Sequence, residues 1–401
     1  MYCLNSNVYL VPGKVNAAFY DFNHGRLVHI NHDARKLLLR VLGHDDPPMT
    51  HEEREYLDRL DSLGLLTHEH TPPHEISELR ENPAVDFVWV EVTASCNLKC
   101  IHCYNESDCN AGRVMPYEDF CYVIDELGAF GVRKIQLIGG EPLTLGGGIT
   151  RYLDYLSGKF DYIEIFTNGT LLTESLTSYL RENGIRVALS LYSYDAGQHD
   201  RVTQVPGSWQ KTNAAIRTLR DNGITYAVKN VLMKGVSLGE RNTDLYTLNP
   251  MKDVVRLTGR ASASLLTREL ARKRLITRKS FQRRLSRGFV KRCLSGHNCF
   301  SRRLYIAADL TVYPCVMERR ISHGNLRGHH LPGIINPQIS AMNKDAVSAC
   351  RECEFRYCCH DCRPDSNGMP IDSKPWYCTY DPHAGKWTDP EKFLDALNLC
   401  G

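Results

Sequence analysis

The chain has 401 residues, of which 42% are hydrophobic, and it carries a formal net charge of +3. This length supports two or three domains with ordinary apolar cores. No apolar stretch is long enough to span a bilayer, and the first residues lack the basic and apolar regions of a signal peptide. Sixteen cysteines without a secretory signal fit a reducing compartment in which thiolates bind metal, so we expect a cytoplasmic location and no membrane partner.

The first eighty residues are predicted to form a separate unit. Short apolar runs split by turn residues predict three strands, and an Asx cap at Asn31 opens the first of two predicted helices. These elements cover 7–13, 17–21, 27–30, 34–42 and 51–62. Their β-β-β-α-α order resembles the RiPP recognition element, a winged-helix-like domain that binds leader peptides of ribosomally synthesised precursors. The resemblance implies that residues 1–82 bind a leader at a sheet edge, and the alternative is an extension that packs on the barrel.

Three cysteines follow a strand predicted at 87–92. Cys96, Cys100 and Cys103 have CxxxCxxC spacing and offer three thiolates where an iron–sulfur cube has four corners. An open iron can bind a cofactor directly, whereas a fully ligated cluster only transfers electrons. The spacing resembles that of the radical S-adenosylmethionine (SAM) superfamily. The alternative is structural zinc, with His102 as the fourth ligand.

This resemblance implies a chemistry as well as a cofactor. In the superfamily, the amino and carboxylate groups of SAM chelate the open iron of a [4Fe–4S] cluster. Reductive cleavage then gives methionine and a 5′-deoxyadenosyl radical, which abstracts a substrate hydrogen. A reductant of the flavodoxin or ferredoxin type is the implied electron donor.

Further strands follow in the order of a (β/α) barrel. Apolar strands are predicted at 134–138, 162–166, 187–191, 227–233 and 253–257. Together with the strand at 87–92 they predict an α/β fold, a partial (β/α)6 TIM-like barrel, with active-site loops after the strands.

The loops after three of these strands contain the candidate cofactor residues. The first loop has the sequence GGEP, which matches a superfamily motif for the SAM amino group. By resemblance, the cofactor-binding residues are Gly139, Gly140, Glu141, Pro142, Thr167, Asn168 and Ser190. The alternative for Asn168 is a simple Asn-Gly turn, and for Ser190 it is a solvated strand end.

The next segment departs from the superfamily pattern. An HD pair at 199–200 and a PGSW sequence at 206–209 resemble a segment that ordinarily carries an arginine in the place of Thr203. By resemblance, that arginine contacts the SAM carboxylate. Arg201 is a candidate substitute, and the alternative for it is a surface arginine.

Basic residues are concentrated in one stretch. Residues 260–303 contain fourteen Lys or Arg and one acid, Glu269. Helical spacing is predicted in places, with breaks at Gly288 and Cys293. We interpret 263–292 as a connector with a solvated basic face, and the alternative is a docking strip for an acidic peptide. Nucleic acid is not an expected partner, because no nucleic-acid motif accompanies the charge.

The remaining cysteines form a second pattern. Their order and spacing resemble the SPASM domain of peptide-modifying radical SAM enzymes, which holds two auxiliary [4Fe–4S] clusters. The resemblance assigns the first cluster to Cys293, Cys299, Cys315 and Cys362. It assigns the second to Cys350, Cys353, Cys359 and Cys378. Cys358 is the alternative to Cys359, and Leu310 stands where a glycine usually precedes the third cysteine.

The sequence therefore predicts four parts and three [4Fe–4S] clusters. The parts are a recognition element at 1–82, a radical SAM core at 83–262, a basic connector at 263–292 and a SPASM domain at 293–401. The predicted function is a peptide maturase that installs a thioether or carbon–carbon crosslink in a leader-bearing precursor peptide.

Three alternatives stay open. The first is a peptide epimerase that takes its second hydrogen from a spare thiol such as Cys109, Cys358 or Cys400. The second is an anaerobic sulfatase-maturing enzyme, although that family has an aspartate where Val316 stands. The third, from a different class, is a binding protein with structural zinc and no catalytic activity. The sequence names neither the precursor nor the residues joined.

Overall fold

The computed structural model describes residues 1–42, 44, 48–251, 253–297, 299–359, 361–366 and 370–398. The chain divides into two compact units. Unit 1 comprises Met1–Pro83, Leu275–Asn298 and Ala341–Ala396, and unit 2 comprises Ala84–Arg274, Cys299–Ser340 and Leu397–Gly401. The stretches predicted as a connector and as a C-terminal domain are each divided between the two units.

The strands of the described residues are, in chain order, β1 (Cys3–Leu4), β2 (Val8–Pro12), β3 (Ala17–Asp21), β4 (Arg26–Ile30), β5 (Leu66–Thr67), β6 (Phe87–Thr93), β7 (Lys134–Gly139), β8 (Tyr162–Thr167), β9 (Arg186–Ser190), β10 (Tyr226–Lys229), β11 (Arg303–Ile306), β12 (Thr311–Tyr313), β13 (Gly324–Asn325), β14 (Tyr380–Asp381) and β15 (Lys386–Trp387).

The α-helices of the same residues are α1 (His32–Val41), α2 (His51–Ser62), α3 (Tyr117–Ala129), α4 (Ile149–Leu156), α5 (Glu174–Glu182), α6 (Ala196–Thr203), α7 (Ser208–Asp221), α8 (Arg268–Arg274), α9 (Arg287–Ser295), α10 (Leu331–Ile334), α11 (Pro337–Ser340) and α12 (Pro390–Ala396).

Unit 1 contains the predicted three-stranded antiparallel sheet, in the order β2-β3-β4. Because side chains alternate along a strand, Phe19 of β3 packs on one face with apolar residues of α1 and α2, including Leu38 and Leu57. Tyr20 lies on the other face in a cluster with Val290 of α9 and with Tyr357. The sheet is therefore covered on both faces, and β2 and β4 form its edges.

Local capping fixes the two N-terminal helices. At the start of α1, Asn31 Oδ1 accepts a hydrogen bond from Ala34 N–H at 3.0 Å. Helix α2 opens with a capping box between Thr50 and Glu53. Gly64, at φ +72°, follows its last turn. Both predicted helices are confirmed, α2 at the predicted bounds and α1 from two residues earlier.

Helix α9 corrects the breaks predicted at Gly288 and Cys293, since it runs through both residues. Ser286 caps it by accepting a hydrogen bond from Phe289 N–H, so Gly288 lies in the first turn, where N–H groups lack helical partners in any case. Cys293 is buried. The helix ends before Gly296.

Unit 2 is built on an eight-stranded sheet with the order β10-β9-β8-β7-β6-β11-β12-β13. The first six strands of that order are parallel, and helices α3 to α7 connect the strands from β6 to β10. Val90, Leu137, Ile165 and Leu189 contribute to the buried core. Apolar strands buried on both faces are typical of parallel sheets, and the predicted α/β barrel architecture is confirmed.

The sixth parallel strand differs from the prediction. Residues 253–257 form no strand, and only a single parallel bridge joins Val254 to Leu232. Asp253 adopts φ +60°, which lies outside the extended region that a strand needs. The sixth strand is instead β11, which pairs with β6.

The turn between β11 and β12 contains the departure noted at Leu310. Its φ is +70°, in the left-handed region where glycine is usual. Leu310 is 1% exposed and packs in the core of unit 2. Burial of its side chain offsets the cost of the backbone conformation.

Candidate active site

The carboxyl ends of the parallel strands in unit 2 surround a cavity of about 600 Å³. It is lined by eight of the residues predicted to bind a cluster or SAM, namely Cys96, Cys100, Cys103, Gly139, Gly140, Thr167, Asn168 and Ser190. A cavity of this size suits a small cofactor together with part of a substrate.

The thiol loop (residues 96–103) follows β6 and is held through its backbone. Lys99 N–H donates to the Thr203 carbonyl at 3.0 Å, and Ile101 N–H donates to the Val202 carbonyl at 3.0 Å. Both carbonyls belong to the last turn of α6, where they lack helical partners. The helix end therefore positions the loop without using its thiols.

Two glycines allow the thiol loop to lie against β7. Gly140 N–H donates to the Thr93 carbonyl at 2.7 Å, which brings the two backbones into contact. A Cβ on Gly139 would overlap the Thr93 carbonyl, and one on Gly140 would overlap the carbonyls of Ala94 and Ser95. The pair is therefore required for close backbone packing, in addition to its place on the cavity wall.

Glu141, which the motif predicts to bind SAM, also holds neighbouring backbone through its carboxylate. Its carboxylate is fully buried and accepts hydrogen bonds from Thr167 Oγ1 at 2.6 Å, Asn168 N–H at 2.6 Å and Leu143 N–H at 3.0 Å. Burial raises its pKa, and these three donors oppose the rise. The cavity wall includes neither Glu141 nor Pro142. We therefore assign Glu141 to positioning the loop after β8.

Asn168 joins that loop to the thiol loop. Its side-chain Nδ2 donates to Asn97 Oδ1 at 2.9 Å, and its carbonyl accepts a hydrogen bond from Thr212 Oγ1 at 2.8 Å. Asn97 Nδ2 in turn donates to Thr170 Oγ1 at 2.8 Å. The Asn-Gly sequence is thus more than a simple turn, because its side chain links two loops of the cavity.

Arg260 clamps the other side of the thiol loop. Its Nε donates to the Cys100 carbonyl at 2.9 Å and its Nη2 to the Ser107 carbonyl at 2.8 Å. Gly259 adopts φ +58°, and a Cβ there would overlap the carbonyl of Cys103. Side-chain hydrogen bonds to backbone carbonyls leave no pattern in the sequence, so the sequence assigned no task to this Gly-Arg pair.

The buried thiols fit a metal cluster. Burial, with the other thiols nearby, raises the pKa of Cys96 and of Cys100 to about 12. Thiolates in such surroundings require a cation, which the irons of a cluster supply. Among the residues that the structure describes, no three His, Cys, Asp or Glu side chains form a group that could hold a single metal ion.

An aromatic group lines the cavity beside the thiols. Tyr192 lies between two histidines, with ring centroids 4.8 Å from His102 and 5.4 Å from His199. Burial lowers the pKa of both histidines to about 4, and the Arg260 charge contributes at His102. Sequence reasoning missed His102 and Tyr192 as cavity residues, although their places in the thiol loop and after β9 were available signals.

The segment that departs from the superfamily forms the junction of α6 and α7. Burial disfavours the charged form of Asp200, yet hydrogen bonds from Trp209 N–H, the Ser208 hydroxyl and Gly207 N–H outweigh it and lower the pKa. Thr203 is fully buried and lines the cavity. Arg201, the candidate substitute, is exposed and is not part of the cavity wall.

Unit 2 also holds two of the predicted auxiliary ligands. Burial raises the pKa of Cys315 to about 12, and the nearby thiol of Cys299 adds to the rise. These two cysteines therefore lie close to each other. The nearest acid after Cys315 is Glu318, whose carboxylate pairs with Arg320 at 2.6 Å. That carboxylate is committed to the arginine and does not line the cavity.

Unit 1 groups four other predicted ligands. Burial raises the pKa of Cys359 well above its usual value, and the thiols of Cys378, Cys350 and Cys353 add to the rise while Lys344 opposes it. The four cysteines predicted for the second auxiliary cluster therefore lie near one another. Cys362, predicted for the first, belongs to the same unit.

A small cavity in unit 1, of about 10 Å³, brings together Cys293 and Cys359, which were predicted for different clusters. Lys344 Nζ lies 2.5 Å from Asp361 Oδ2, and Arg363 contacts the same carboxylate. All three charged side chains are at most 6% exposed. Two cations against one carboxylate leave a local positive charge that suits thiolate ligands.

Glu354 connects the N-terminal sheet to this cysteine-rich part of unit 1. Its fully buried carboxylate accepts a hydrogen bond from Tyr380 Oη at 2.5 Å and lies 2.8 Å from His29 Nε2 of β4. The Tyr20 hydroxyl lies 2.9 Å from the Glu354 carbonyl and 3.4 Å from Cys358 Sγ. Cys358 thus has a hydroxyl partner, and the thiol of Cys293 is among the groups that, with burial, raise its pKa.

The spare thiols lie in different surroundings. Cys109 is exposed, and it does not line the large cavity. Cys358 belongs to unit 1, and Cys400 lies outside the described residues.

Part of the chain is similar to known sequences. The sequence model of the Radical SAM superfamily matches residues 90–245. The antilisterial bacteriocin subtilosin biosynthesis protein AlbA of Bacillus subtilis is 29% identical over 267 residues, which cover 61% of this chain and 56% of AlbA. A probable GTP 3′,8-cyclase of Methanocella arvoryzae is 34% identical over 153 residues, which cover 38% of this chain and 49% of that protein. The chain spans about half the length of these curated relatives.

Solved structures share the fold. SuiB of Streptococcus suis superposes with a TM-score of 0.53 at 13% identity, covering 94% of this chain and 100% of SuiB. The protein anSMEcpe, with bound AdoMet and a peptide, gives 0.52 at 16% identity and covers 78% of this chain and 96% of its own. At these identities the likeness establishes the fold alone.

A search for membrane segments found, within the described residues, no helix that is both long and apolar enough to cross a bilayer. The matched segment, 90–245, contains the thiol loop and the GGEP motif, and the strands after which they lie form the parallel sheet of unit 2. Sequence match, fold and cavity therefore agree in the segment 90–245, which is similar to the radical SAM superfamily.

Proposed function

We propose that this protein is a radical SAM peptide maturase that installs an intramolecular crosslink in a ribosomally synthesised precursor peptide. The observation that carries the proposal is the similarity to AlbA, which covers 61% of the chain and so exceeds the radical SAM segment alone. AlbA is a biosynthesis protein for the bacteriocin subtilosin. SuiB, whose fold covers 94% of this chain, has been solved with its precursor peptide SuiA.

The proposal gives each part of the cavity a task. Cys96, Cys100 and Cys103 would hold the [4Fe–4S] cluster, and with SAM bound that cluster supplies the 5′-deoxyadenosyl radical. The SAM pocket would be lined by Gly139, Gly140, Thr167, Asn168 and Ser190. The rings of Tyr192 and its two histidine neighbours line another part of the wall.

The auxiliary ligands follow the sequence assignment. We propose that Cys293, Cys299, Cys315 and Cys362 hold one [4Fe–4S] cluster and that Cys350, Cys353, Cys359 and Cys378 hold another. These clusters are candidate acceptors for the electron that closing a crosslink releases. A flavodoxin- or ferredoxin-type protein is the proposed source of the electron that starts the cycle.

The N-terminal part of unit 1 is the proposed leader-binding surface. Strand β4 is an edge strand beside α1, and an extended peptide can add to such an edge through its backbone. The opposite edge is partly covered, because His74 Nε2 contacts the Val8 carbonyl of β2 at 2.8 Å. The observed edges therefore favour β4.

The alternatives receive less support. A sulfatase-maturing enzyme needs a base near Val316, and Glu318 is paired with Arg320. An epimerase needs a thiol at the active site, and Cys109 is not part of the cavity wall.

Mass spectrometry tests the proposed reaction. The full-length enzyme, reconstituted with iron and sulfide under anaerobic conditions, is incubated with SAM, a reductant and precursor peptides from neighbouring reading frames. A crosslink removes two hydrogens, so we expect a product lighter by about 2 Da. The control is the variant with Cys96, Cys100 and Cys103 replaced by Ala, which should leave the peptide unchanged. Product of unchanged mass that contains a D-residue would overturn the crosslink in favour of epimerisation.

Hydrogen exchange tests the leader surface on the full-length protein. The N-terminal sheet shares a core with α9 and Tyr357, so removing residues 1–82 would expose apolar surface of unit 1 and confuse the result. We expect leader peptide to slow exchange at β4 amides, with β2 as the internal control. Protection of neither strand at saturating leader would refute the proposed surface.

A further inference from the structure

Two histidines of the cavity wall in unit 2, His102 and His199, each have a buried ring nitrogen without a hydrogen-bond partner among the described residues. His199 is 1% exposed, and its unpartnered atom is Nε2. The residue lines the cavity, although solvent does not reach Nε2 itself. A buried polar atom without a partner is costly, and a bound ligand is one way to satisfy it.

The hydrogen bond at the other ring nitrogen sets the proton position. Tyr192 backbone N–H lies 3.3 Å from His199 Nδ1, and because a backbone N–H can only donate, Nδ1 must be the acceptor. The proton of the neutral ring is therefore on Nε2. The unpartnered Nε2 of His199 is thus an N–H donor, and a ligand group that satisfies it must be an acceptor.

The position of His199 on α6 connects this donor to Thr203. The two residues are four apart on one helix and hence on the same face, and both line the cavity. Thr203 stands where the superfamily ordinarily has the arginine that contacts the SAM carboxylate. The imidazole is therefore on the helix face that would have carried that arginine.

The Thr203 hydroxyl already donates its proton to acceptors within the protein. The Ser208 hydroxyl donates to Asp200 Oδ1 at 2.7 Å, so in the 2.7 Å contact between Thr203 Oγ1 and Ser208 Oγ the threonine must donate. Its other contact, with the Asp200 carbonyl at 3.2 Å, uses the same proton. The threonine is committed inside the protein, and the histidine is the donor that remains on that face.

We propose that His199 Nε2–H donates a hydrogen bond to the carboxylate of SAM and takes the place of the missing arginine. A neutral donor to a carboxylate gives a charge-assisted hydrogen bond, and the cluster that the thiol loop would hold would offset part of the carboxylate charge. The inference rests on the proposed SAM pocket and assigns a positioning residue, since His199 would orient the cofactor rather than react with the peptide.

The test distinguishes a hydrogen bond to the SAM carboxylate from contacts with other parts of SAM. Dissociation constants of SAM and of decarboxylated SAM are measured by equilibrium dialysis on the anaerobically reconstituted full-length enzyme. We compare wild type with His199→Phe, which keeps a ring to stack on Tyr192 but has no donor. His199→Met is a second deletion in case the phenylalanine does not pack, and equal iron content is required of every variant.

We expect His199→Phe to weaken SAM binding about 10- to 100-fold, the usual range for a lost hydrogen bond to a charged group. Binding of decarboxylated SAM should change less than about threefold, because the partner group is already absent. His199→Gln, whose amide can still donate, should recover part of the preference for SAM.

Three results would overturn the inference. If His199→Phe weakens both compounds equally, the N–H meets the ribose or the adenine. If it weakens neither, the nitrogen does not contact the cofactor. If Lys229→Met, at the neighbouring strand end in register with Ser190, abolishes the preference and His199→Phe keeps it, the lysine holds the carboxylate. Failure of wild type to bind SAM at all would instead count against the proposed function.

Discussion

The two cysteine-rich regions of the molecule are held in different ways. In unit 2, the thiol loop is fixed by backbone hydrogen bonds to the end of α6, by close packing on Gly139 and Gly140 and by the Arg260 clamp. In unit 1, the described residues between 350 and 378 contain only short 3-10 turns, and buried charged side chains such as Glu354 and Asp361 add to their backbone hydrogen bonds. Close backbone packing therefore contributes most to the thiol loop, whereas buried charged side chains contribute more to the cysteine-rich part of unit 1.

The strongest test of this difference is a change in backbone packing. Gly140→Ala places a Cβ on the carbonyls of Ala94 and Ser95, so the thiol loop must move away from β7. We expect the free energy of unfolding to fall by more than about 3 kcal/mol and about four irons per chain to be lost. Urea denaturation and iron analysis measure the two effects.

Gly147→Ala is the matched control, because a Cβ there would meet nothing within 4 Å. It should keep its iron and change stability by less than about 1 kcal/mol. A Gly140→Ala protein with full iron content and wild-type stability would show that backbone packing does not hold the loop.

Substitution of a buried charged side chain should destabilise unit 1. Glu354→Gln keeps an oxygen for Tyr380 and His29, but it removes the negative charge that they contact and places a buried N–H2 group at the Oε2 position, which has no hydrogen-bond partner among the described residues. We expect a loss of about 2 kcal/mol in the free energy of unfolding. Hydrogen exchange should quicken at β4 and leave the thiol loop unchanged.

Glu352→Gln is the control for that substitution, since its pair with Lys14 is on the surface and should contribute less than about 1 kcal/mol. Equal losses from the two variants, or faster exchange in the thiol loop, would remove the contrast between the regions.

The smallest expected effect concerns pH. Asp200 holds the start of α7 next to the helix end on which the thiol loop rests, and its pKa is below its usual value. A lowered pKa stabilises the fold fully above the unfolded value of about 3.9, and this contribution is lost as the pH falls through the lower folded value. Asp200→Asn should therefore cost about 1 kcal/mol at pH 7 and less below pH 4.

Denaturation of wild type and Asp200→Asn across this pH range measures the difference. A difference that stays constant down to pH 2 would mean that the charge of Asp200 contributes nothing and that only its shape matters.

The sequence predicted features that local patterns determine. The strands of the barrel, the capped helices and the thiol loop each follow from spacing within a few residues, and the structure contains them at or near the predicted bounds. Two predictions were wrong. Residues 253–257 are apolar enough for a strand, but Asp253 adopts φ +60° and a single bridge joins Val254 to Leu232. Helix α9 tolerates Gly288 because that residue lies in the first turn and Val290, Cys293 and Leu294 are buried in unit 1.

The sequence predicted which residues line the cavity better than it predicted the hydrogen bonds that they make. Eight predicted residues line the cavity because they follow strands whose ends meet at one edge of the sheet. The tasks of Glu141 and Arg260 depend on which backbone groups happen to be near, and no spacing rule specifies those. The unpartnered nitrogen of His199 likewise becomes visible only once every neighbouring hydrogen bond is assigned.

The central claim is that Cys96, Cys100 and Cys103 hold the cluster that cleaves SAM. The direct measurement is 5′-deoxyadenosine formation by the full-length reconstituted enzyme with SAM and dithionite, together with iron content, in wild type and in the variant with all three cysteines replaced by Ala. We predict that the variant loses about four irons per chain, keeps the remainder and forms no 5′-deoxyadenosine. Undiminished 5′-deoxyadenosine formation in that variant would contradict the account.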